Sequence, residues 1–174
     1  MTDRIWPCVE LQWEWLGGTP SIRRAAVVGD GLPARRLAEA LTRGGFEVEH
    51  SARTDLSHHD LVCFAMPAND LPRAMARYGE HVPERAGILL RSKGLVPPLG
   101  NLPSAYVAER TAAHAIATLD GPLAPNAKLT IAGADEAFVA QLQTAFTAAG
   151  SDVARTTDLT GAHEPTRTWR TRAA

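Results

Sequence analysis

Lysine is nearly missing from this chain: of its 18 lysines and arginines only two, Lys93 and Lys128, are lysine. A compact ammonium and a planar guanidinium are not interchangeable. A lysine kept in Leu90-Arg91-Ser92-Lys93-Gly94-Leu95-Val96 therefore suits a site that grips an anionic oxygen or a polarised carbonyl from one direction. A surface lysine before a turn is the plainer alternative. Cysteine is scarce too. Cys8 and Cys63 form neither a disulfide framework nor a metal-ligand spacing, and Cys63, inside an apolar run, reads as a buried small hydrophobe. Charge of one sign is lacking: a net charge of -1 favours neither nucleic acid nor an anionic membrane as partner. No apolar run reaches membrane-spanning length, and Asp3, Arg4, Glu10 and Glu14 interrupt any signal-peptide core. A reduced, cytoplasmic location is the expectation. What is present is ordinary for a soluble globular chain, 45% hydrophobic and 21% charged over 174 residues, enough for one domain with a sizeable core.

Three of the four tryptophans, Trp6, Trp13 and Trp15, fall in a breaker-rich N-terminal extension, residues 1–23. It reads as a loose arm or edge element, with an aromatic binding arm as the alternative. From Ile22 onward the text is regular. Short apolar runs at Ala25–Val28, Phe46–Glu49, Leu61–Ala65, Gly87–Leu90, His114–Ala117, Leu129–Ala132 and Ser151–Ala154 read as strands, the fifth ending at Gly121-Pro122. Between them the spacing predicts helices from Pro33 to about Arg43, through Met75 and Tyr78, from about Ser104 to Ala113, and after Asp135 as cap through Phe146. Alternation of this kind implies an α/β fold, a doubly wound and mostly parallel sheet of Rossmann type, as a single domain over 24–160. The polar, arginine-bearing residues 161–174 read as a frayed tail.

Gly29-Asp30-Gly31-Leu32-Pro33-Ala34 fits the G-x-G-x-x-G/A dinucleotide fingerprint between a strand and a helix. Gly29 makes the tight turn, Gly31 lets a pyrophosphate approach the backbone, and Ala34 allows close packing, with the helix N-terminus facing the anion. Asp30 puts a carboxylate in that turn and Pro33 removes a donor, so a tight turn that binds nothing is the alternative. About 20 residues on, Glu49 stands where an acid would hold a ribose, and Arg53 where a cation would hold a 2′-phosphate. Either also reads as a solvated edge charge, which leaves NAD and NADP both open. His58-His59 has no third ligand and reads as plain loop histidines, and His81, His114, His163 and Ser92 receive no catalytic role.

With these residues in place, the chain resembles the N-terminal domain of NAD(P)-dependent glycerol-3-phosphate dehydrogenase, from about Arg24 to Gly161. Asp60 to Ala68 is similar to the family's strand ending in Val-Pro-Ser beside the cofactor. Ser92-Lys93-Gly94-Leu95 resembles its Lys-Gly-Leu/Ile segment. Gly121-Pro122-Leu123-Ala124 resembles its Gly-Pro-Ser-x-Ala loop, and Asp158-Leu159-Thr160-Gly161 its Asp-Val/Ile-x-Gly. The resemblance implies that Met66 and Pro67 flank the nicotinamide side. It implies that Lys93 contacts both substrate and cofactor, with Gly121 near the substrate, and that Leu32 and Arg53 join Gly29, Gly31 and Ala34 in the NAD or NADP site. The implied chemistry is hydride transfer between glycerol 3-phosphate and dihydroxyacetone phosphate, a step of glycerophospholipid metabolism. Departures accompany it. The family's Glu-Leu-x-Gly-Ala-x-Lys-Asn, which carries the catalytic lysine, is replaced after Gly161 by Ala162-His163-Glu164-Pro165-Thr166-Arg167. Leu32-Pro33 stands where the family has an aromatic. The expectation is a cofactor domain that is catalytically incomplete, with self-association as a homodimer through bare apolar surface. A non-catalytic Rossmann-like partner or regulatory module is the alternative.

Overall fold

The computed structural model describes residues 21–50 and 55–157. Trp6, Trp13, Trp15, Cys8, Arg53, His163 and the Asp158–Gly161 segment lie outside the described residues. Described residues form β1 (Arg24–Val28), α1 (Leu32–Arg43), β2 (Glu47–His50), β3 (Leu61–Phe64), α2 (Leu71–Tyr78), β4 (Gly87–Leu90), α3 (Pro103–Ala108), β5 (Ala115–Asp120), β6 (Lys128–Gly133), α4 (Glu136–Ala148) and β7 (Asp152–Thr156). The strands join in one sheet of order β2-β1-β3-β4-β5-β6-β7. Every neighbouring pair is parallel except β5 and β6, which run antiparallel with Ala117 opposite Gly133 and Asp120 opposite Thr130. This is a Rossmann-type α/β sheet with helices on both faces.

The alternation of each strand separates two cores. Ala25, Val27, Leu61, Cys63 and Leu89 face α1 and α4, where Leu37, Leu41, Phe138, Leu142 and Phe146 meet them. Ala26, Val28, Val62, Phe64, Ile88 and Leu90 face the other way, onto Leu71, Met75 and Tyr78 of α2 and Val107 of α3. Because both faces are covered, these strands are apolar throughout instead of alternating. Asp135 caps α4 through its side chain, whose Oδ1 accepts the Phe138 N–H at 2.8 Å.

α3 departs most from its expected bounds. α3 stops at Ala108, five residues short, and Arg110 and Thr111 bond back to the Tyr106 and Val107 carbonyls as the chain turns toward β5. β5 runs to Asp120, up to the expected stop at Gly121-Pro122, and Thr118, Leu119 and Asp120 find partners in Ala132, Ile131 and Thr130 of β6. Asp120 is thus the last residue of a strand, at the edge where the functional residues gather.

Candidate functional site

Strand order reverses direction between β1 and β3, and in open α/β sheets the crevice at the carboxyl ends of such strands is where ligands bind. A cavity of about 290 Å³ lies there, lined by Gly29 and Asp30 after β1, Met66 and Pro67 after β3, and Asp70, Arg73 and Arg77 around α2. A larger hollow of about 720 Å³ opens beside Gly79, Glu80 and Arg110. Those residues lead into β4 and β5, at the opposite end of the strands, so the smaller crevice is the candidate.

The glycine turn has the shape that the fingerprint demands. Gly29 has φ 143° and lies so close to the Ala65 carbonyl that a β carbon would collide with its oxygen. Gly31 has φ 94°, and the only atom near an added β carbon is the Pro33 Cδ at 3.9 Å. The first glycine thus lets two strand ends pack, while the second leaves space over the backbone. No side chain caps α1, which leaves its first N–H groups to a ligand or to water. Ala34 is buried beneath the turn and Leu32 is exposed beside it. These features fit the pyrophosphate of a dinucleotide, with the exposed Asp30 the one group of opposing charge in the turn.

The end of β2 is arranged differently from the expectation. Glu49 points away from the turn, with Oε2 3.4 Å from Nε2 of the buried His59. His50, one residue later and on the other face, places Nε2 3.1 Å from the Gly29 carbonyl oxygen. The residue at the turn is therefore a histidine and not the acid that spacing suggested. His59 lies in a loop, as its context suggested, with its ring buried against Glu49.

On the other side of the crevice, β4 delivers Arg91 and Lys93. The Lys93 carbonyl accepts the Ala68 N–H at 3.4 Å, seating this loop on the Met66–Pro67 turn. Lys93 Nζ stands 3.0 Å from Asp120 Oδ1, the two side chains being 49% and 33% exposed. Arg91 donates through Nη2 to the Gly121 carbonyl at 3.0 Å. Burial lowers the pKa of the Arg91 guanidinium; the nearby Asp120 charge opposes that shift and Arg36 adds to it. The structure thus brings together Gly29, Gly31, Leu32, Ala34, Met66, Pro67, Lys93 and Gly121 along one edge. It adds His50, Arg91 and Asp120, which the motifs did not reveal. An aspartate at the end of the fifth expected strand, directly before Gly121-Pro122, was the signal available for Asp120. Among the described residues no cluster of His, Cys, Asp or Glu could hold a metal ion.

A glycine turn, an uncapped helix start and a switch-point crevice define the class: a Rossmann-type domain whose ligand edge is built from β1, β3, β4 and β5. The particular likeness is to the N-terminal part of NAD(P)-dependent glycerol-3-phosphate dehydrogenases. The chain is 29% identical over 144 residues to the enzyme named glycerol-3-phosphate dehydrogenase [NAD(P)+] of Mesorhizobium japonicum, covering 78% of this chain and 42% of that one. The Brucella canis enzyme of the same name is 28% identical over 108 residues, covering 62% and 33%. The chain therefore spans less than half the length of the curated relatives it matches. No family model matches. Among solved structures, glycerol-3-phosphate dehydrogenase of Coxiella burnetii aligns with a TM-score of 0.69 at 15% identity, over 80% of this chain and 55% of that one. A ketopantoate reductase of Ralstonia eutropha aligns with 0.61 at 17%, over 78% and 57%. These structural likenesses are of fold.

Proposed function

We propose that the chain is a glycerol-3-phosphate dehydrogenase-like domain that binds NAD or NADP across the β1–β3 crevice. The observation that carries this reading is the Gly29–Gly31 turn, where one glycine admits the Ala65 carbonyl and the other leaves its face open. In this reading Gly29, Gly31 and Ala34 form the pyrophosphate cradle, Leu32 flanks it, and Met66 and Pro67 wall the nicotinamide side. Bound there, the dinucleotide would supply the hydride donor or acceptor. Lys93 holds a donor toward the reacting oxygen of glycerol 3-phosphate or dihydroxyacetone phosphate, and Gly121 closes the edge beside it. The domain is catalytically incomplete in this reading, since the family's Glu-Leu-x-Gly-Ala-x-Lys-Asn segment is replaced after Gly161 by Ala162-His163-Glu164-Pro165-Thr166-Arg167. Leu32, Leu95 and Leu99, exposed around this edge, support self-association. No described helix is long and apolar enough to cross a membrane.

A non-catalytic partner or regulatory module is the second reading, favoured by the exposed Asp30 in the turn and by Pro33, which has no N–H to give a phosphate. Titration calorimetry with NADH and NADPH separates the two. Saturable binding that is lost in Gly31→Arg supports the first reading, and no heat at millimolar dinucleotide sinks it. Reduction of dihydroxyacetone phosphate by the purified chain, at the rate of a full-length relative, would show that the domain is complete after all.

A further inference from the structure

The carboxyl ends of β4 and β5 are tied together twice, by Arg91 to the Gly121 carbonyl and by Lys93 to Asp120, each at 3.0 Å. Both cations that β4 brings to this edge are therefore engaged, one on a carbonyl and one on a carboxylate. The Lys93–Asp120 contact is close without being an aligned hydrogen bond. Asp120 Oδ1 is shielded from solvent and receives no aligned donor, while half of the Lys93 side chain is open. An ammonium supplies three donors and a carboxylate supplies only acceptors. Side by side, they match a ligand hydroxyl or hydroxyketone, which can both accept and donate. A phosphate or carboxylate has only oxygens to offer, and at Lys93 it meets the like charge of Asp120 a few ångströms away.

We propose that Asp120 is the specificity-determining residue of this edge: standing 3.0 Å from Lys93, it turns anionic groups away and leaves the place to an uncharged, hydroxyl- or carbonyl-bearing end of a ligand. The inference rests on the reading above for the reaction it serves, and it orients a triose phosphate there: the reacting carbon lies toward Lys93 and the phosphate away from β4 and β5.

The scarcity of lysine makes the test direct. Protein labelled with 13C-lysine carries two side-chain signals, from Lys93 and Lys128, and Lys93→Arg assigns them by removing one. Inorganic phosphate, glycerol and dihydroxyacetone are titrated separately, with and without NADH or NADPH. In the wild type the Lys93 signal should move with the two neutral ligands and stay still with phosphate at equal concentration. In Asp120→Asn the concentration of phosphate needed should fall by about tenfold or more, and the neutral ligands should weaken. Asp120→Ser should behave alike, so that a folding defect in one variant does not decide the matter. Equal phosphate responses in wild type and both variants overturn the proposal, as does a Lys93 signal deaf to the neutral ligands. Dinucleotide binding is followed by calorimetry on the same samples. Its loss with the phosphate effect intact defeats the cofactor reading alone, and the converse defeats this proposal alone.

Discussion

Gly29 and Ala65 meet backbone to backbone at the point where the sheet reverses direction: the Gly29 α carbon leaves no space for a β carbon against the Ala65 carbonyl oxygen. The neighbouring Ala65 N–H donates to the Val28 carbonyl at 2.9 Å, so the two strand ends are locked together just below the crevice. Packing and a positive φ both demand glycine there, whereas at Gly31 only the φ does.

The two glycines should therefore fail in different ways. Gly29→Ala should cost about 3 kcal/mol or more, from backbone strain plus overpacking. Gly31→Ala should cost about 1–2 kcal/mol, the strain alone. Urea denaturation reads both. If the two lose equal stability, the Ala65 contact is not what restricts Gly29.

A similar relationship holds deeper in the core, where Gly87 at the start of β4 lies against the Phe138 ring so closely that a β carbon would collide with it. Gly87→Ala should cost about 2–3 kcal/mol by overpacking, and Phe138→Leu about 1–2 kcal/mol by lost burial. Combined, they should cost at least about 1 kcal/mol less than the sum, since the smaller side chain vacates the space the methyl needs. Simple additivity in denaturant midpoints would remove the ring as the obstacle.

Gly87 also illustrates what the sequence made legible. Gly87-Ile88-Leu89-Leu90 is an apolar run bounded by breakers and buried on both faces, and its expected bounds match the strand. The end of β5 was legible from Gly121-Pro122, but its antiparallel pairing with β6 was not, because no local pattern announces the direction of a partner strand. Which side chains of neighbouring strand ends meet depends on that pairing, and the place of Asp120 3.0 Å from Lys93 stayed hidden. At β2 the distance of about 20 residues pointed to Glu49, but side chains alternate along a strand, and one position decides which residue faces the turn. Register, set by pairing across the sheet, put His50 there.

Cys63, in the middle of β3, is fully buried, and burial holds its thiol protonated far above the ordinary range. The sign follows from linkage. Above about pH 8.5 the unfolded chain loses a proton that the native chain keeps. The stabilising difference is whole below that pH and is lost as pH rises, at about 1.4 kcal/mol per pH unit. Denaturant midpoints of the wild type should thus fall more steeply above about pH 9 than those of Cys63→Ala, which starts lower because of its cavity. Parallel slopes would mean that the native thiol ionises.

Asp30 sits exposed between the two glycines, where a pyrophosphate would otherwise meet only backbone N–H groups and the positive end of α1. Its carboxylate repels that anion through water, an interaction of the size of a surface ion pair with the sign reversed. Asp30→Asn keeps the side chain's shape and its exposure, so the denaturation midpoint should stay within about 0.5 kcal/mol of the wild type. Affinity for NADH or NADPH should rise by about threefold at low ionic strength. The gain should shrink in molar salt, where charges are screened beyond about 3 Å. Calorimetric titrations of wild type and variant at two salt concentrations give all four affinities. An affinity unmoved by the substitution at low salt would place the pyrophosphate away from this turn, whereas a gain that fades with salt puts its charge beside Asp30.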